Sequence, residues 1–174
     1  MFSDKNKINP EVYVSSQSFF QIDKEKIDNL IQKAKLTPRG RVRFCSHKSS
    51  EESVHEMFIV HPKGAYVRPH KHLNKPESLL VIEGRVDFII FGDDGNIKEK
   101  LSMGDYNSGL PFYNSIRSSD YHSMVIHSEW LVFLEITKGP FNKEDTIFSE
   151  WSPKDENIKG VYSFMKNMKG EGHE

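Results

Sequence analysis

The chain has 174 residues, enough for one domain with a substantial core and too few for two ordinary ones. Its 24 Lys and Arg offset 25 Asp and Glu to a net charge of -1, so no basic field points to nucleic acid or to an anionic membrane surface. No apolar run approaches the ~20 residues of a membrane span, and the start, Met1 to Lys7, lacks the apolar region of a signal peptide. With a single cysteine, Cys45, no internal disulfide can form, and a soluble cytoplasmic protein is expected.

Residues 1–22 are polar and mixed, with an alternation at Val12 and Val14 and then Phe19-Phe20, which predicts a loose arm or a short strand. Asp23 is a good N-cap, and Ile27, Leu30, Ile31 and Ala34 fall on one helical face before Pro38 closes the element. From Pro38 to His47 the pattern alternates, with Arg41, Arg43, Cys45 and His47 on one face and Val42 and Phe44 on the other. This predicts a strand with one polar face, either a solvated edge or one whose arginines line an anion site. Cys45 is expected as a small half-buried strand residue and not as a nucleophile. The roles of Arg39, Arg41, Arg43, His47 and Cys45 stay open at this level.

Val54 to Val60 forms the next strand, with His55 and His61 as structural or exposed residues. After the turn Pro62-Lys-Gly64, Ala65 to His72 reads as a strand carrying His70 and His72, which share a face because the side-chain period of a strand is two. Both imidazoles can then reach one metal ion. Glu77 opens the apolar run Leu79 to Ile82 of a partner strand, placing a carboxylate beside them. By the same parity Tyr66 and Arg68 face the histidines, Tyr66 as a candidate catalytic proton donor and Arg68 as a candidate substrate anchor. A buried guanidinium needs an anionic partner, either internal or on a ligand.

Val86 to Phe91 and Asn96 to Ser102 flank a hairpin turn at Gly92-Asp-Asp-Gly95. Phe112 to Ile116, Tyr121 to His127 and Glu129 to Thr137 complete the strands. Short strands at turn-punctuated intervals predict an all-β antiparallel sandwich or closed barrel. The chain divides into an arm at 1–22, a domain with its flanking helix at 23–140, and a C-terminal extension at 141–174. In the extension, Val161, Phe164, Met165 and Met168 predict an amphipathic helix, ahead of a disordered end containing an uninformative His173.

The spacing Gly64, five residues, His70-x-His72, four residues, Glu77, six residues, Gly84 resembles the first metal-binding motif of the cupin superfamily. The segment Ile116 to Ile126 resembles the second cupin motif, with Arg117, Ser119 and Ile126 where Pro, Gly and Asn are usual. It offers His122 as the further ligand, with His127 as fallback. The stretches Ala34-Lys-x-x-Pro38-Arg39, Tyr66 to His72, Phe91 to Gly95 and Phe133 to Phe141, with Trp151 beyond, narrow the resemblance to the WbuC family of cupin-fold metalloproteins.

The resemblance implies a cupin (double-stranded β-helix, jelly-roll) barrel holding one divalent ion on His70, His72, Glu77 and His122. It also implies a place near surface-polysaccharide chemistry, O-antigen or lipopolysaccharide included. Three imidazoles and one carboxylate suit Zn, Fe, Mn, Ni or Co. Three functions are compatible: a metal-dependent isomerase or epimerase acting on a small anionic sugar derivative, a non-catalytic metal-dependent sugar-binding or structural protein, and an Fe(II)-dependent oxygenase. The expected partner is a small molecule rather than nucleic acid or membrane, and cupins often dimerise, which the aromatic, Met-rich termini would suit.

Overall fold

A computed structural model describes residues 7–170; positions 1–6 of the expected arm and the tail at 171–174, His173 included, lie outside the described residues. In chain order the strands and helices are β1 (Lys7–Asn9), β2 (Val12–Val14), α1 (Lys24–Lys35), β3 (Val42–Cys45), β4 (Val54–Pro62), β5 (His70–His72) and β6 (Glu77–Glu83). There follow β7 (Arg85–Phe91), β8 (Ile97–Gly104), β9 (Tyr113–Ile116), β10 (Tyr121–Ile126), β11 (Trp130–Lys138), β12 (Thr146–Phe148) and α2 (Ile158–Lys169).

The strands form two sheets, one ordered β1-β2-β3-β4-β11-β6-β9 and the other β12-β5-β10-β7-β8. Every pairing is antiparallel except that of β2 with β3. Between the sheets lies one core cluster that includes Leu79, Val81, Val86, Phe88, Met103, Met124, Ile126, Leu131 and Phe133. The result is a jelly-roll sandwich compatible with the cupin fold. Among the described residues no strand pairs with a strand of the other sheet, so the architecture is a two-sheet sandwich.

Both helices cover outer sheet faces. Asp23 caps α1 by accepting from the Lys26 backbone N–H, which satisfies one of the donors a helix start leaves free. Ile27, Leu30, Ile31 and Ala34 then pack against Val42, Phe44, Val60 and Val132. On the opposite side, Met165 and Met168 of α2 join Ile89, Phe91 and Val125, with Trp151 and Phe164 packed against them. Gly84 shows why a glycine must end β6: its φ is +103°, and a Cβ there would come within 2.4 Å of the Trp130 carbonyl oxygen.

Three local expectations change. β3 is not an edge, since β2 and β4 flank it, and Cys45 is buried in the core between the sheets. The expected strand Ala65–His72 is regular only over His70–His72. Ala65 and Val67 pack against the inner core while Tyr66 packs in the α2 cluster, so the simple parity that put Tyr66 beside the histidines breaks before His70. The extension is more than a cover, because it supplies β12, which pairs Thr146 with His72 and Phe148 with His70.

Candidate metal centre

His70 and His122 are directly paired across β5 and β10, which brings two imidazoles onto one inner face. His72 follows two residues later on that face. Their rings lie 4.5 Å (His70–His122), 5.1 Å (His70–His72) and 5.5 Å (His72–His122) apart, centre to centre. One nitrogen from each of the three lies within 4.8 Å of the others, a grouping that could hold a metal ion.

Glu77 enters from the facing sheet. Its Oε2 is 3.0 Å from His72 Nε2 and its Oε1 is 3.8 Å from His122 Nε2. The sequence-predicted ligands His70, His72, Glu77 and His122 therefore come together, whereas His127 pairs instead with Asp87 at 2.9 Å, on the other side of the second sheet.

The ring hydrogen bonds decide which nitrogen each histidine presents. His70 Nδ1 lies 2.8 Å from the Arg68 carbonyl and His122 Nδ1 lies 3.2 Å from the Asp120 carbonyl. A carbonyl only accepts, so both Nδ1 atoms carry the proton and both Nε2 atoms are left with a lone pair. Among the described residues His122 Nε2 is buried with no hydrogen-bond partner, the kind of orphaned atom that a metal ion would satisfy. His72 is different: its Nδ1 meets the Thr146 hydroxyl at 3.1 Å, which can donate or accept, and its Nε2 lies 3.0 Å from Glu77 Oε2. The donor set and the orphaned nitrogen together fit a divalent ion.

The electrostatics agree. Burial, reinforced by His122, pushes His70 down to about 4, and burial also pushes His122 down. Burial alone would raise Glu77, but the hydrogen bond from His72 and the nearby imidazoles outweigh it and hold the carboxyl below the usual range. Neutral imidazoles beside an ionised carboxylate are the protonation states that metal binding requires.

Glu135 was not predicted. It follows Phe133 by two residues along β11, which puts it on the inner face, one step from Glu77 in the β6–β11 pairing. Protein surrounds it, yet the residue keeps partial exposure, so its carboxyl lines the interior rather than being sealed in it. Burial and the Glu77 charge raise it, against Arg43 and Lys75. The sequence signal was a lone acid at inner parity in the run Trp130-Leu-Val-Phe-Leu-Glu135.

Beside His70 opens a cleft of about 390 Å³. Its walls are Arg39 and Arg41 ahead of β3, residues 66–68 ahead of β5, Thr146 and Phe148 of β12, and residues 154–156 before α2. Tyr66 and Arg68 thus do neighbour the centre, through this cleft and not through strand parity. The Tyr66 hydroxyl donates to the Pro153 carbonyl at 2.8 Å. Arg68 donates to the Ser149 carbonyl at 2.6 Å and to Ser152 Oγ at 3.3 Å, with its guanidinium 5.2 Å from the Phe148 ring centre.

Residues 22–103 match the profile of a domain of unknown function (DUF6016). No curated protein matches the chain in sequence. Among solved structures, a Shewanella oneidensis protein superposes with a TM-score of 0.57 at 11% identity, over 84% of this chain and 96% of that one. Bacillus subtilis oxalate decarboxylase superposes with a TM-score of 0.45 at 20% identity, over 56% of this chain and 24% of that one. A sugar phosphate isomerase homologue of Acidithiobacillus ferrooxidans gives 0.41 at 15% identity, over 51% of each chain. The chain thus spans about a quarter of the oxalate decarboxylase it matches. At these identities the likeness concerns the fold. No helix among the described residues is long and apolar enough to cross a membrane.

Proposed function

We propose that the protein is a cupin of the WbuC type that uses one divalent transition-metal ion, held by His70, His72, His122 and Glu77, to isomerise or epimerise a small anionic carbohydrate derivative in surface-polysaccharide metabolism. The observation that carries the reading is the convergence of three imidazoles on one point with the Nδ1 protons of His70 and His122 fixed by carbonyls. A bound ion would supply Lewis acidity toward a sugar carbonyl or hydroxyl.

The chain's own groups supply the rest. Glu77 is ionised, as a ligand to the ion must be, while Glu135, one step along the same inner face, is held protonated. Glu135 is then the carboxyl left to give a proton. Tyr66 stands at the cleft wall with its hydroxyl proton on Pro153, so its part as a donor requires that bond to open.

The test is elemental analysis of the purified chain and of His122→Ala, with a conversion screen over sugar phosphates, sugar acids and nucleotide sugars. The expected result is one transition metal per chain in the wild type, loss of that metal in the variant, and metal-dependent conversion of one substrate class. A wild type that holds metal and neither binds nor converts any compound in the screen would sink the enzymatic reading.

A further inference from the structure

The cleft beside His70 contains more positive charge than its own carboxylates satisfy. Arg39 is spoken for, since its Nε donates to Glu11 Oε1 at 2.9 Å and its Nη2 to the other oxygen. Arg41 is not. Its side chain is only 19% exposed, and its Nε is sealed from solvent with no hydrogen-bond partner among the described residues. Of the carboxylates whose charge reaches it, Glu11 is held by Arg39, and Asp155 lies 3.8 Å from Arg41 Nη2 and 4.0 Å from Arg39 Nη1, close enough to attract both and too far to hydrogen-bond either.

A buried guanidinium with an unmade hydrogen bond is costly, and Asp155, half exposed, offsets it weakly. Across the cleft, Arg68 is fixed by Ser149, Ser152 and the Phe148 ring, with two of its three nitrogens engaged among the described residues. A pre-positioned fork of this kind suits an oxyanion, because little side-chain freedom is lost on binding. Lys154 adds a further cation to the wall. The volume of about 390 Å³ is that of a small-molecule site and exceeds the needs of one ion.

We infer that this cleft is the subsite for the oxyanionic group, phosphate or carboxylate, of the small molecule whose other end reaches the histidine cluster, with Arg41 and Arg68 as its anchors and Asp155 as the internal group it displaces. The inference rests on the proposed function for the idea of a single ligand spanning both places, since His70 belongs to the cleft wall and to the cluster alike. The anion subsite itself stands on the arginine geometry.

Calorimetric titration of the full chain, first stripped of metal by chelation and then loaded, with inorganic phosphate in one arm and gluconate in the other, tests it. At least one of the two binds the stripped chain, and the tighter identifies the oxyanion. Arg41→Met weakens that binding by about tenfold or more, the loss expected for a charge-assisted hydrogen bond. Asp155→Asn strengthens it, an outcome that misfolding cannot imitate. Binding of neither probe, equal binding by Arg41→Met, or no gain in Asp155→Asn overturns the inference. So does binding seen only with metal present. Metal content measured on the same samples separates the two readings: a chain that takes up metal on loading yet binds neither anion removes the subsite alone, and a chain that binds an anion yet takes up no metal on loading removes the metal centre alone.

Discussion

The Thr146 hydroxyl lies 3.1 Å from His72 Nδ1, tying the C-terminal extension to a candidate metal ligand through the β5–β12 pairing. His70 and His122 are oriented by backbone carbonyls, which no substitution of their own side chains can remove. Among the described residues Thr146 is the side chain that supports a candidate ligand in this way. Thr146→Val keeps the volume and the β-branch and deletes the hydroxyl, so the strand should persist while His72 loses its partner. Partners of this type typically set metal affinity by about 10- to 100-fold. Competition against a chelator of known affinity should show that loss in Thr146→Val and little of it in Thr146→Ser. Equal affinity in Thr146→Val and the wild type would mean the contact does not orient the ligand.

His61 makes the fold sensitive to acid. It is stacked on Phe133 with ring centres 5.7 Å apart, and its Nδ1 is buried without a partner among the described residues. Burial, then the charges of Arg41 and Arg39, push it down to about 3. The unfolded chain takes up this proton near 6.5 and the folded chain only near 3, so between those values the unfolded state binds more protons. The contribution is fully present above about 6.5 and is lost as pH falls toward 3, on the order of a few kcal/mol. Denaturant melts at pH 7 and pH 4 should show a smaller drop for His61→Phe than for the wild type. An unchanged drop would assign acid sensitivity to other groups.

Much of the grouping of His70, His72 and Glu77 was legible because it follows from short-range spacing. His70 and His72 are one residue apart on a strand, and Glu77 begins the next strand after a turn, so geometry over eight residues suffices. Tyr66 and Arg68 were misassigned a strand face because the same rule was carried through 65–69, where no ladder holds the backbone in register. β12 escaped notice for a different reason. Three residues, Thr-Ile-Phe, carry no periodic signal, and their strand state is imposed by pairing with His70–His72 more than seventy residues away. The arginine cleft is also non-local, drawing its walls from four separate segments.

Glu135 should give the metal-free protein an alkaline weakness opposite in sign to that of His61. Burial and the Glu77 charge raise its carboxyl above the ordinary value of 4.5. Above that value the unfolded chain gives up this proton while the folded chain keeps it, so the folded state binds more protons. The contribution is full below 4.5 and is lost as pH rises through the raised folded value. Glu135→Gln keeps the shape and removes the titration, so it should hold its stability from pH 5 to pH 8 better than the wild type, both stripped of metal. Parallel stability curves for the two would exclude Glu135 as the group responsible.

Removing the metal should weaken the protein without unfolding it. The cluster sits at one end of a core whose apolar residues pack with one another, and two helices close the outer faces through separate clusters. His72 Nε2 lies 3.0 Å from Glu77, and the Arg68 and Asp120 carbonyls hold the His70 and His122 rings, so protein groups orient the cluster. The ion then acts as a ligand of the native state. At 100 times its Kd it stabilises by about 2.7 kcal/mol, a Tm shift of roughly 5 to 11 °C for a chain of this size. Chelation followed by thermal melting should show a cooperative transition at lower temperature with the far-UV circular dichroism retained. Loss of the β signal on chelation at 25 °C would instead make the ion a structural requirement, as in small zinc-dependent domains.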